Sequence, residues 1–155
     1  MSQSPYAPPK ADVGSGDDSQ RRGSGVKAVA IGLVVDIGGT FLFGAGLSIA
    51  WFVAAGLPDD AQALEQLTQS PAYLLASMIV GGAFTVLGGY VAARIANHAE
   101  YRYALYLGLW SLAFGVLLVY WSPSPQPGQD IVALLLVVPC ALAGGYLRLA
   151  TKPRG

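Results

Sequence analysis

The chain has 155 residues, 54% of them hydrophobic and only 12% charged, with a mean hydropathy of +0.50. A soluble domain carries roughly 25% charged residues, so about half that value argues against an ordinary soluble fold and against a wholly disordered chain. Nine Lys and Arg balance nine Asp and Glu, which gives no global attraction for nucleic acid, and the single cysteine, Cys140, excludes an internal disulfide and a cysteine metal framework.

Residues 1–25 are mostly Pro, Gly, Ser and Asp and cannot bury enough apolar surface to offset ordering entropy, so a disordered tail is expected there. Ser19-Gln20-Arg21-Arg22 has a trace of a twin-arginine export signal. The apolar run that follows, Val29 to Val53, is longer than a signal peptide's apolar region of about 7–15 residues, and it reads as an uncleaved membrane helix over about 28–54. Arg21, Arg22 and Lys27 then act as a topology signal. Within this run Gly32, Asp36, Gly39, Phe43, Gly46 and Ala50 step by four, three, four, three and four. At 3.6 residues per turn they share one helix face, paved with small residues and carrying one carboxylate.

After Gly56-Leu57-Pro58 the stretch 59–69 places Leu57, Ala61, Leu64 and Thr68 on one side, which predicts a short surface helix. Its Asp59, Asp60 and Glu65 supply too few oxygens for a cation site and read as a solvated acidic loop. Ser70-Pro71 is an N-cap followed by proline at the first helical position, opening a span over about 71–95. That span carries Gly81-Gly82, Thr85 and Gly88-Gly89. The turn Asn97-His98-Ala99-Glu100 leads to a third span over about 102–121, with the small-residue row Ala104, Gly108, Ser111, Gly115 and a mid-span Trp110 assigned to packing. Tyr101 and Tyr103 mark one membrane interface, Tyr120 and Trp121 the other. A proline-stiffened link, 122–128, precedes a fourth span over about 131–150, which Asp130 caps and Pro139 should kink. Cys140 falls in an apolar setting beside that proline and reads as inert. The membrane domain is thus 26–151, with a short tail at 152–155.

With four crossings Lys10, Arg21, Arg22, Lys27, Arg94, Arg102, Arg148, Lys152 and Arg154 all fall on one side, and the other side holds only Asp59, Asp60, Glu65 and Asp130. Positive-inside logic puts both termini in the cytoplasm. Gly88-Gly89-Tyr90 and Gly144-Gly145-Tyr146 end the second and fourth spans, which run in the same direction, so any repeat would relate two hairpins in parallel. A shared need for close helix approach and an interfacial tyrosine accounts for the likeness equally well.

Gly88-Gly89-Tyr90-Val91-Ala92-Ala93-Arg94-Ile95-Ala96, followed by a polar turn and another membrane helix, resembles a segment of uncharacterised small bacterial four-helix inner-membrane proteins. The resemblance covers about the middle third of the chain. It implies a bacterial inner (plasma) membrane and carries no activity with it.

No HExxH, GxSxG or P-loop pattern is present, and histidine and cysteine do not cluster. Asp36-Ile37-Gly38-Gly39-Thr40 lacks the glycine spacing and lysine of a phosphate loop. His98 reads as a solvated turn residue. No catalytic residue, cofactor or metal site is therefore assigned. Asp36 stands nine residues beyond Lys27, ~13 Å into the helix, where a central carboxylate costs about 2.5–3.5 kcal/mol. It must be paired, protonated or hydrated. With spans centred near Phe41 and Cys140, Asp36 and Arg148 come out ~7 Å and ~12 Å to the same side of the midplane, and an Asp36–Arg148 pair is expected. The candidate intramembrane polar residues are Asp36, Arg148, Thr40 and Thr85. The candidate packing glycines are Gly32, Gly39, Gly46, Gly82, Gly88, Gly89, Gly108 and Gly145.

These readings predict an all-α antiparallel bundle of four transmembrane helices. Its leading role is a non-enzymatic accessory, scaffold or assembly protein, with the lipid bilayer and a second copy or another membrane protein as partners and no nucleic acid. The alternative is a small transporter or channel subunit that uses Asp36.

Overall fold

The computed structural model describes residues 24–56, 61–122 and 127–151. Among these the chain is helical with no strand, and four helices are long and apolar enough to cross a membrane: α1 Gly25–Ala54, α3 Pro71–Ala96, α4 Glu100–Trp121 and α5 Pro127–Ala150. The short α2, Ala61–Thr68, lies between the first two. Nearly all of the expected tail over 1–25, the tail at 152–155, and Asp59 and Asp60 lie outside the described residues.

Local chemistry sets the helix ends. Gly56, at φ +87°, ends α1 in a conformation that a side chain would strain. Ser70 caps α3 through the backbone N–H of Tyr73, with Pro71 at the first helical position. Asn97 ends α3 in the left-handed region at φ 52°, which asparagine tolerates. Two ends differ from expectation. α4 begins at Glu100 rather than 102, and α5 begins at Pro127 rather than 131. Proline at a first helical turn forfeits no hydrogen bond, so the link gives up its last residues to the helix. Asp130 consequently lies inside the first turn instead of capping it.

α3 is the central element. α1 packs on α3 and α4, α5 packs on the same pair from the other side, and α1 and α5 make little contact with each other. Small residues around one leucine form the core: Ala28, Ala92, Ala93, Ala96, Ala104 and Ala141 are fully buried with Leu107. They lie toward the end that carries Lys27, Arg94, Arg102 and Arg148, termed here the basic end. Without a hydrophobic force between helices in lipid, close backbone approach is what holds such a bundle together.

The contacts that a Cβ would meet grade the glycines. At Gly89 it would collide with the Ala141 carbonyl oxygen, and at Gly144 with that of Val86, so α3 and α5 touch backbone to backbone. Gly32 and Gly88 face one another across α1 and α3, Gly108 meets Ala141 and Val138, and Gly145 meets Ala104. Gly39 lies against the Phe84 ring, and Gly82 has only the Cys140 sulfur at 3.8 Å. Gly46 has no neighbour within 4 Å, so the packing role expected for it has no counterpart in the single chain.

The reason lies in α1. Val34–Gly38 forms a π turn, whose i→i+5 bonding places the inward face one residue later than an unbroken α-helix would. The inward row runs Gly32, Asp36, Thr40, Gly44, Ser48, while Phe43, Gly46 and Ala50 turn outward. Trp110 is likewise corrected from a packing residue to an outward one, 65% exposed. Exposed Phe41, Leu42, Ile79, Leu135, Tyr120 and Trp121 extend the apolar exterior. Such a surface is untenable in water and suited to lipid.

Candidate functional site

The π turn that rephases α1 also carries Asp36, which is 4% exposed. Three features place it. Gly88 leaves room for it, since a Cβ at Gly88 would fall 2.9 Å from the Asp36 Cβ. Thr85, one turn before Gly88 on α3, donates from Oγ1 to Asp36 Oδ1 at 2.9 Å. Ser111 on α4 donates from Oγ to Asp36 Oδ2 in a short hydrogen bond. One carboxyl group thereby ties three helices together at the level where small residues let them approach.

The same group ends a cavity of about 670 Å³. Toward the basic end, Gly32, Leu107, Gly88 and Ala92 are packed without room for an added methyl group. Toward the opposite end, α1 past the π turn keeps contact with α3 and α2 but parts from α4. The cavity fills that gap and runs from Asp36, Thr85 and Ser111 to Gln129 and Asp130 at the start of α5. Thr40, Ser77 and Cys140 also line it. Ser77 itself donates to the Leu74 carbonyl oxygen at 2.8 Å.

Three of the four expected polar residues, Asp36, Thr40 and Thr85, thus meet at one site, and Arg148 does not join them. No ion pair links Asp36 and Arg148 among the described residues, both carboxyl oxygens take hydroxyl donors, and Arg148 Nε is buried without a hydrogen-bond partner. The expected pair fails on axial register. Ala141 lies against Gly89 and Gly108, next to the residues that hold Asp36, so the level of Asp36 on α5 is Cys140–Ala141. Arg148 is seven residues past Ala141, ~10 Å further along the axis.

Sequence reasoning assigned Ser111 to a packing row and missed its role. The available signal was its hydroxyl, set mid-span in a row otherwise built of Ala and Gly. Asp130 was read as a helix cap and turns out to line the cavity at the end away from Asp36. His98 is not simply solvated. Its Nδ1 contacts the Ala96 carbonyl oxygen at 2.6 Å, its Nε2 lies 3.2 Å from the Tyr103 hydroxyl, and the two rings meet edge to face. Among the described residues no three His, Cys, Asp or Glu gather to hold a metal.

The fold and the site therefore define a class, a multi-pass helical membrane protein with a carboxyl group at the base of an intramembrane cavity. Comparison with known proteins adds no relative, since no family model, no curated protein and no solved structure matches the chain.

Proposed function

We propose that this chain is a small transporter or channel subunit, without enzymatic chemistry of its own, in which a solute enters the cavity and meets Asp36. One observation carries the reading. A buried carboxyl group deep within the first span is held by hydroxyls instead of a cation, at one end of a cavity that extends from there to the start of α5. A carboxyl kept only to fix helix register needs no such space, and intramembrane ionisable groups facing a cavity are the usual markers of a solute or ion path. The π turn supports the same reading, because such turns recur at functional sites, where the gain in geometry offsets a poorer hydrogen-bond ladder. The setting we propose is the bacterial inner membrane, with the basic end and both termini cytoplasmic. The cavity then faces outward.

The test is reconstitution in liposomes with a pH-sensitive dye and an imposed potential. Flux that is present for the full chain and lost in Asp36→Asn is the expected result. Absence of flux under any ion gradient, together with one partner that copurifies equally with the Asp36→Asn variant, overturns the reading in favour of an accessory or assembly role.

A further inference from the structure

Among the described residues the cavity lining carries two carboxyl groups, Asp36 at one end and Asp130 at the other, and no lysine, arginine or histidine. Its charge complementarity is therefore to a cation. Between the carboxyls the wall is mostly apolar, with Phe41, Met78, Phe114, Leu118 and Leu136 prominent beside Thr40 and Ser77. The volume, about 670 Å³, falls in the range of organic-ligand sites and far exceeds a bare ion. A hard metal cation would need about six oxygen ligands, more than the carboxyl and two hydroxyls at the Asp36 end supply. Sign, size and wall chemistry agree on an organic monocation with an apolar body.

The hydrogen bonds leave Asp36 room for a further donor. Thr85 Oγ1 lies 2.9 Å from Asp36 Oδ1 and 3.0 Å from the Gly81 carbonyl oxygen, so its one hydrogen serves two acceptors. A carboxylate offers about four acceptor sites, and Thr85 and Ser111 occupy one on each oxygen.

We propose that the cavity binds an amphipathic organic monocation, an ammonium or guanidinium group on an apolar body, whose charged head pairs with Asp36. This rests on the reading of the cavity as a solute site. The N–H groups of the cation donate to the carboxyl oxygens of Asp36 beside the Thr85 and Ser111 hydroxyls, and the apolar body lies along the cavity wall. The groups facing Asp36 are the Thr85 hydroxyl on α3, the Ser111 hydroxyl on α4 and, lining the same cavity from α5, the Cys140 thiol. Among the described residues, Asp130 is the other carboxyl on the lining.

Cys140 is the only cysteine of the chain and lines the cavity, so its alkylation by a maleimide reports occupancy. The purified full chain in nanodiscs is treated with 4-phenylbutylammonium or with neutral 4-phenylbutanol, and the alkylation rate is compared with and without probe at one fixed pH. The ammonium is expected to protect Cys140 at concentrations at least tenfold below the alcohol, and Asp36→Asn should abolish the preference. Should Asp36→Asn fail to fold, Asp36→Glu, which retains a carboxyl group, is expected to keep the preference for the ammonium. Equilibrium dialysis of the radiolabelled ammonium gives the same comparison without the thiol. Equal protection by the alcohol, or a preference that survives Asp36→Asn, overturns the proposal in favour of a plain apolar slot. No binding of the ammonium alongside Asp36-dependent proton flux overturns the cation and leaves the transport reading standing. Ammonium binding without flux overturns transport and leaves the cation standing.

Discussion

Asp36 was expected to be held by a guanidinium and is held by two hydroxyls, which changes what its neighbours should do when altered. A true ion pair loses more from one partner than from both. Here Asp36→Asn and Arg148→Gln are predicted to be additive, with a coupling below about 0.5 kcal/mol in a double-mutant cycle on thermal unfolding in detergent, as for sites without shared partners. Thr85→Val and Ser111→Ala each remove one donor from a buried acceptor. Interhelical hydrogen bonds in membranes contribute about 0.6 kcal/mol on average and up to about 1.7, so each substitution should cost roughly 0.5–2 kcal/mol in the same assay. Their losses should not add, because both act on one carboxyl group.

Among the helices, α3 and α5 approach most closely, and glycine is required where they do. Gly89→Ala and Gly144→Ala would each drive a methyl group into a carbonyl of the facing backbone, which cannot rotate away as a side chain can. Overpacking of this kind costs about 1–3 kcal/mol, and both variants should lose thermal stability and folded yield by that order. Gly46→Ala meets open space and should leave both unchanged; a loss as large as that of Gly89→Ala would show that Gly46 faces a second chain. Gly39→Ala should fall between them, because its neighbour is the Phe84 ring, which can shift. Element boundaries were legible within a few residues, since apolar runs, Ser70-Pro71 and the Asn97 turn are local signals. The phase of α1 after Asp36 was not, because the π turn answers to packing on α3 and α4 and leaves no pattern in the run itself.

For the whole molecule, the basic end is closed and dense while the opposite half is open around the cavity. With Cys140 replaced by serine, a single cysteine at Asp60 or Gln126 should react with a membrane-impermeant reagent in intact cells. Reaction only after lysis would reverse the orientation and with it the side from which the cavity fills. The four long apolar helices, with Lys27, Arg94, Arg102 and Arg148 near one end of them, are properties of composition along the chain, which is why sequence sufficed for them. So is the cost of Asp36, which follows from its depth in an apolar run whatever surrounds it.

What offsets that cost was beyond sequence. Thr85, Ser111 and Cys140 lie 49, 75 and 104 positions from Asp36 in the chain, and only the axial register of four helices brings them to one level. That register is fixed by where glycine lets two backbones touch, at Gly32 with Gly88 and at Gly89 with Gly144. A displacement of about two helical turns, ~10 Å at 1.5 Å per residue, separates the arginine that sequence offered to Asp36 from the hydroxyls that the fold supplies.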